Sequence, residues 1–111
     1  AGGLPPRVMI DTSHGNSGKD FRRQPAVAGT IAEQVAAGEP GIIGVMVESF
    51  LVDGRQDLSD GTRLTTGQSI TDECLGWEMT VPVLREFAAA VRTRRGLRAT
   101  SDRQLAVARS V

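Results

Sequence analysis

The sequence is poor in cysteine, histidine and aromatic residues. It has one cysteine, Cys74, one histidine, His14, one tryptophan and no tyrosine in 111 residues. A single cysteine cannot form an intrachain disulfide, so a fold held by internal disulfides is excluded. The sequence also lacks an apolar run near twenty residues and a charged leader followed by an apolar segment. We therefore expect a cytoplasmic protein with no membrane partner.

Net charge is absent too, although one region is strongly basic. Thirteen Lys and Arg residues balance thirteen Asp and Glu residues, so no field over the whole chain favours nucleic acid as a partner. From Arg92 to the end, six arginines stand against one acid, Asp102. We predict a domain over residues 1–96 and a basic, flexible tail over residues 97–111.

Apolar patterning predicts two strands joined by a helix. The runs RVMI, at 7–10, and GIIGVMV, at 41–47, are typical of buried strands, and the second should be covered on both faces. A helix of about three turns is predicted to start near Pro25 and to stop at Gly38. Its apolar residues recur at four-residue spacing: Val27, Ile31 and Val35. This order is a βαβ unit with parallel strands.

The remaining chain is predicted to form a long excursion and a second helix. Residues 49–70 contain two Asp-Gly turn signals, at 53–54 and 60–61, which suggest an irregular hairpin. Thr80 is expected to cap a helix that ends at Gly96. Its predicted apolar face comprises Val83, Leu84, Phe87 and Val91. Two parallel strands cannot bury both of their faces, so the chain is expected to be part of a larger α/β sheet.

Three side chains are predicted to lie at the carboxyl ends of strands, where parallel α/β folds have their active and binding sites. His14 follows the first predicted strand, Glu48 ends the second, and Asp72 lies after the long excursion. One imidazole and two carboxylates can bind a divalent metal such as manganese, iron or zinc. The alternatives are a locally hydrogen-bonded histidine, a paired glutamate and an aspartate that caps a short turn at DECLG.

Other candidate sites are weaker. The segment GNSGKD, at 15–20, is not a phosphate-binding loop, because its glycines are too close together and Asp20 stands where a Ser or Thr would bind magnesium. Cys74 could be a ligand or a nucleophile, but a buried inert thiol is favoured because the sequence places no basic residue beside it. Trp77 is expected to be a core or interface anchor.

Three segments carry a close resemblance to a known family. They are DTSHGNSGKDFRRQP at 11–25, GIIGVMVESFLVDGRQ at 41–56 and SITDECLGWEMT at 69–80. In them the sequence resembles the carboxyl-terminal part of type I 3-deoxy-D-arabino-heptulosonate 7-phosphate (DAHP) synthase, an enzyme of the shikimate pathway. The resemblance implies the last two strand-helix units, β7-α7-β8-α8, of a (β/α)8 TIM barrel. The remainder of the barrel is then a partner, and the full-length protein is expected to be a homo-oligomer.

The resemblance also implies a reaction and a ligand set. The family condenses phosphoenolpyruvate with erythrose 4-phosphate and uses a divalent metal. Its motifs SHxNSxK, VES and SITD supply metal ligands, and the matching positions here are His14, Glu48 and Asp72. A fourth ligand, an early cysteine, and the phosphate-binding residues lie in segments that this chain lacks, and Cys74 does not match that cysteine. The isolated fragment is therefore expected to be inactive. The alternative is a non-catalytic barrel remnant that binds metal or packs against another fragment.

Overall fold

The chain folds into a mixed α/β structure. A computed structural model describes residues 2–60 and 63–110. Its elements, in order, are β1 (Val8–Asp11), α1 (His14–Ser17), a 3₁₀ turn (Phe21–Arg23), α2 (Gln24–Ala36), β2 (Ile42–Met46), β3 (Val52–Arg55), β4 (Gln68–Ser69) and α3 (Trp77–Arg109). No helix within the described ranges is both long and apolar enough to cross a membrane.

The predicted βαβ unit is confirmed. Strands β1 and β2 pair in parallel, with Val8 opposite Ile42 and Asp11 opposite Met46, and α2 connects them. Because the strands run in the same direction, their carboxyl ends lie at one edge, which we call the rim. The chain leaves β1 three residues before His14 and leaves β2 two residues before Glu48.

Helix α2 covers one face of this two-stranded sheet and packs against α3. Pro25 lies in its first turn, where the missing amide hydrogen costs no helical bond, and Gly38 adopts a φ of 107° just past its end. The main core contains Ile31, Ala32, Val35, Ile42 and Ala90. The predicted apolar face of α2 is therefore confirmed. On α3, Val83 is buried as predicted, but Leu84 is exposed because it lies one residue round the helix from the packed face.

The opposite face of the sheet is open. Met9 is 67% exposed and Ile43 is 61% exposed, so the prediction that the second strand is covered on both faces is wrong for this chain. The described residues supply only two strands to this sheet, β1 and β2, and α2 covers only one of its faces. The apolar side chains on the opposite face are therefore left exposed. This open face agrees with the expectation that two parallel strands need a larger sheet.

The excursion after β2 is not a hairpin. Strands β3 and β4 pair in parallel, because the chain crosses over between them instead of turning back. The first Asp-Gly signal lies inside β3, where Gly54, with a φ of 80°, exchanges two backbone hydrogen bonds with Cys74 (2.9 and 3.1 Å). The second signal, at 60–61, lies partly outside the described residues. The excursion is thus tied directly to the segment that follows Asp72.

Helix α3 differs from its prediction at both ends. It begins at Trp77 with Gly76 at the N-cap, so Thr80 is inside the helix, where its hydroxyl donates to the Gly76 carbonyl oxygen at 2.9 Å. The predicted stop at Gly96 is also wrong, since the helix continues to Arg109. A glycine inside a helix costs only about 1 kcal/mol relative to alanine, so it need not end one. Residues 97–110 are exposed, and the flexibility of this tail stays a prediction.

Candidate metal centre

The fold brings the three predicted ligands together at the rim. The Nε2 atom of His14 lies 3.4 Å from Oε1 of Glu48 and 3.8 Å from Oδ2 of Asp72. One donor atom from each residue fits within a group no wider than 4.8 Å. They line a cleft of about 200 Å³ to which Lys19 and Arg55 add two cations. Three segments far apart in sequence thus present one nitrogen and two carboxylates to the same space.

His14 is held in an uncommon backbone conformation by its neighbours. Its φ is 45°, a left-handed value that few non-glycine residues adopt, although histidine adopts it more often than most. The Nδ1 atom lies 2.8 Å from Oδ2 of Asp11, while Oδ1 of Asp11 accepts a hydrogen bond from the Ser13 amide at 2.7 Å. A neutral imidazole that donates Nδ1–H to Asp11 presents its Nε2 lone pair to the cleft.

The surrounding carboxylates change the acidity of His14. The hydrogen bond that Nδ1 of His14 donates to Asp11 and the negative charge of Glu48 raise the pKa of the imidazole above its ordinary value, with smaller contributions from the charges of Asp11 and Asp72. The ring is exposed, and burial opposes the shift only weakly. The same negative charges that stabilise a proton on the ring would also stabilise a divalent cation in the cleft.

Glu48 is fixed through both its side chain and its backbone. The Ser13 hydroxyl donates a hydrogen bond to Oε2, which leaves Oε1 facing His14. The backbone amide of Glu48 donates to Oε1 of Gln24 at 3.0 Å, and its carbonyl oxygen accepts from Nε2 of Gln24 at 3.1 Å. The alternative of a paired glutamate is met, because Ser13 donates to one carboxylate oxygen and the His14 ring lies 3.4 Å from the other.

Asp72 lies in a bend after β4, with no helical turn between β4 and α3, so the alternative of a helix cap is wrong. Backbone hydrogen bonds anchor the segment that follows: the Leu75 amide donates to the Glu48 carbonyl oxygen at 2.9 Å, and Cys74 pairs with Gly54. The Asp72 side chain itself is exposed and projects into the cleft.

The remaining sequence candidates lie outside the ligand group. Cys74 is only half-buried, in contrast to the predicted burial, and desolvation raises the pKa of its thiol. That this thiol is inert stays a prediction. Trp77 is 53% exposed, so its assignment to the core is wrong. Its assignment to an interface stays a prediction.

Three residues that support the ligands were missed by sequence reasoning. Asp11 and Ser13 carry a weak signal, because both lie within three residues of His14 at a strand end. Gln24 carries none, because a polar residue at the start of a helix is ordinary and its burial depends on the packing of distant segments.

Comparisons with known proteins agree with this geometry. A model of the DAHP synthetase I family matches residues 2–85. The Phe-sensitive phospho-2-dehydro-3-deoxyheptonate aldolase of Escherichia coli K12 is 55% identical over 94 residues, which cover 85% of this chain and 27% of that protein. The phenylalanine-inhibited enzyme of Saccharomyces cerevisiae is 52% identical over 92 residues, covering 80% of this chain and 25% of that protein.

A solved structure gives the same result. The phospho-2-dehydro-3-deoxyheptonate aldolase of Francisella tularensis SCHU S4 superimposes with a TM-score of 0.75 and 49% identity, over 79% of this chain and 25% of that one. The chain thus spans about a quarter of the length of the relatives it matches. Since the family model covers most of the sequence and includes every residue that meets at the rim, the chain belongs to the DAHP synthetase I family.

Proposed function

We propose that this chain is the carboxyl-terminal part of a DAHP synthase and supplies three ligands of its divalent metal. The observation that carries the proposal is the convergence of His14, Glu48 and Asp72 at the rim, with one donor atom each inside 4.8 Å. In this assignment the whole enzyme condenses phosphoenolpyruvate with erythrose 4-phosphate, as the family does. The sequence pattern predicts the same three residues.

The donor set fits a metal of intermediate hardness. One imidazole nitrogen and two carboxylate oxygens suit manganese, iron or zinc, and the charge of the two acids offsets that of the cation. The histidine is also oriented as metal ligands are, because Asp11 fixes the Nδ1 side of the ring and leaves Nε2 toward Glu48 and Asp72. When bound, the metal supplies Lewis-acid polarisation of the aldehyde of erythrose 4-phosphate.

The residues of this chain hold and orient the site. Asp11 holds the proton on Nδ1 of His14, and Ser13 keeps one oxygen of Glu48 occupied so that the other faces the cleft. Lys19 and Arg55 bring positive charge to the cleft wall, although Arg55 is also paired with Asp57 at 2.7 Å. The cradle for the two substrate phosphates is assigned to the rest of the enzyme.

Strands β1 and β2 are proposed as the seventh and eighth strands of the (β/α)8 barrel. Two observations support this placement: the strands are parallel neighbours, and the face that bears Met9 and Ile43 is open. Within the barrel this face would be covered by side chains from other strands, and both free edges would gain partners. The complete protein is proposed to form a homo-oligomer.

The ligand assignment can be tested by manganese binding to a full-length enzyme that carries this segment. We expect His14→Ala, Glu48→Gln and Asp72→Asn each to weaken Mn²⁺ binding about tenfold or more, because a direct ligand matters at least as much as its supporting residues. Free Mn²⁺ is measured by electron paramagnetic resonance, and circular dichroism checks the fold. The control is Asp102→Asn, an exposed acid in the tail. Parent-like binding by all three variants would refute the assignment.

A second candidate is a non-catalytic barrel remnant that binds metal or packs against another barrel fragment. The open apolar face of β1 and β2 favours it, since such a face favours association. The two candidates differ when the chain is refolded together with the complementary part of a family enzyme. Recovery of condensing activity supports the synthase, while association without activity supports the remnant.

A further inference from the structure

Gln24 is an unusual residue for its position. It begins α2, its side chain is 0% exposed, and it is not one of the three candidate ligands. A buried carboxamide is costly unless its polar atoms find partners. Within residues 2–60 and 63–110, no buried side-chain nitrogen or oxygen lacks a hydrogen-bond partner. The partners of Gln24 therefore explain why a polar group is tolerated there.

The carboxamide of Gln24 pairs with the backbone of a single residue. Its Oε1 atom accepts from the Glu48 amide at 3.0 Å, and its Nε2 atom donates to the Glu48 carbonyl oxygen at 3.1 Å. A neighbouring β-strand pairs in the same way when one residue exchanges both of its backbone hydrogen bonds. Gln24 thus substitutes for a strand at the point where the β1–β2 ladder has ended.

The same carboxamide joins the segments that carry the ligands. Its Oε1 atom also accepts from the Thr12 hydroxyl at 3.0 Å, and Thr12 lies two residues before His14. The Glu48 carbonyl oxygen accepts a second hydrogen bond from the Leu75 amide, three residues after Asp72. A rigid, buried group therefore sets the spacing between the backbones of the histidine and glutamate segments, and the aspartate segment is bound to the same carbonyl.

We propose that Gln24 is a positioning residue of the metal centre, which sets where the Glu48 carboxylate lies relative to the His14 imidazole. This inference rests on the proposed function. Gln24 touches no ligand side chain, so its effect is transmitted by the backbone of Glu48. Residues that orient metal ligands typically contribute tenfold to a hundredfold in metal affinity.

The test compares two variants of Gln24 with a matched control. Gln24→Met keeps the length of the side chain and removes all three hydrogen bonds, and Gln24→Glu keeps the acceptor oxygen but loses the donor to the Glu48 carbonyl oxygen. The control is Gln34→Met, because Gln34 lies on the same helix and is exposed. Mn²⁺ affinity, the visible absorption spectrum with Co²⁺ bound, and thermal melting by circular dichroism are measured on a full-length enzyme that carries this chain as its carboxyl-terminal part.

We expect both Gln24 variants to bind Mn²⁺ at least about tenfold more weakly than the parent and to shift the Co²⁺ absorption bands, while Gln34→Met behaves like the parent. A lower melting temperature with parent-like affinity and spectrum would show a merely structural role and overturn the inference. If Gln24→Met does not fold, Gln24→Glu decides by the same criteria. If the parent protein binds no Mn²⁺, the proposed function is overturned and this inference with it. If the parent and the Gln24 variants bind Mn²⁺ equally well, this inference alone is overturned.

Discussion

Replacing Asp11 by asparagine should weaken metal binding at His14 and leave the fold intact. The carboxylate of Asp11 accepts two hydrogen bonds, from Nδ1 of His14 at 2.8 Å and from the Ser13 amide at 2.7 Å. Asparagine has nearly the same shape and keeps one acceptor oxygen, so one of these bonds can persist. The substitution removes the negative charge behind the imidazole. That charge makes the ring a stronger ligand, so its loss should weaken metal binding.

The structure indicates that the loss of metal affinity in Asp11→Asn lies near the lower end of the range that is usual for supporting residues. Supporting residues of this kind contribute tenfold to a hundredfold in metal affinity. The side chains of Asp11 and His14 are 38% and 44% exposed, so water screens part of their interaction. We therefore expect about a tenfold loss of Mn²⁺ affinity. Parent and variant are compared at one fixed pH of about 8, because protons compete with the metal for His14 and the pKa of its ring is raised above the ordinary value of about 6.5.

A second measurement reads the same change directly on the imidazole. His14 is the only histidine in the sequence, so its ring signals in an NMR titration need no further assignment. In the metal-free parent the pKa of His14 is raised, chiefly by the hydrogen bond to Asp11. In Asp11→Asn we expect the pKa to fall, and the charge of Glu48 should keep it from falling all the way to the ordinary value.

The control for this experiment is Asp20→Asn. Asp20 is an exposed acid on the same loop whose side chain accepts a hydrogen bond from the Arg22 amide, a role that asparagine can also fill. It should change neither the Mn²⁺ affinity nor the His14 titration. The reasoning is refuted if Asp11→Asn keeps the parent affinity and pKa, or if it weakens binding only to the extent that it unfolds.

Two further predictions concern the limits of the chain. The purified 111-residue chain should show no condensing activity with phosphoenolpyruvate, erythrose 4-phosphate and Mn²⁺. The reason is that turnover needs charge stabilisation by the phosphate-binding residues, which are assigned to the rest of the enzyme. Clear activity would contradict the assignment of this chain as a part of the enzyme. Deleting residues 97–111 should leave the Mn²⁺ affinity and the melting temperature unchanged, because the described part of this tail is exposed. A loss of either would show that the tail packs.

Local sequence determined the βαβ unit and the candidate ligands. Apolar spacing identified α2, because a helix buried on one face leaves a periodic signal, and short continuous apolar runs identified both of its flanking strands. Parallel strands then put His14 and Glu48 at one rim by topology alone. Asp72 was harder to place, because its position depends on the pairing of Leu75 with Glu48 across a long excursion.

Two predictions are wrong, at Gly54 and at Gly96, and both are wrong for the same physical reason. The Asp-Gly pair at 53–54 was expected to turn the chain, but Gly54 instead uses its positive φ to pair with Cys74 inside a strand. Gly96 was expected to end α3, yet a glycine ends a helix only where the chain that follows turns away. In both cases the same residue permits two conformations, and contacts outside the local window choose between them.

The support of Glu48 was decided by tertiary structure alone. A histidine and two acids can be recognised from their types, because few other side chains bind divalent metals. Asp11 reaches His14 locally, across three residues, whereas the roles of Ser13 and Gln24 come from hydrogen bonds to Glu48 that exist only once β1, β2 and α2 have packed. Residue types thus specify which atoms could bind a metal, whereas packing sets how Glu48 is held, because side-chain type is local and these hydrogen bonds join distant segments.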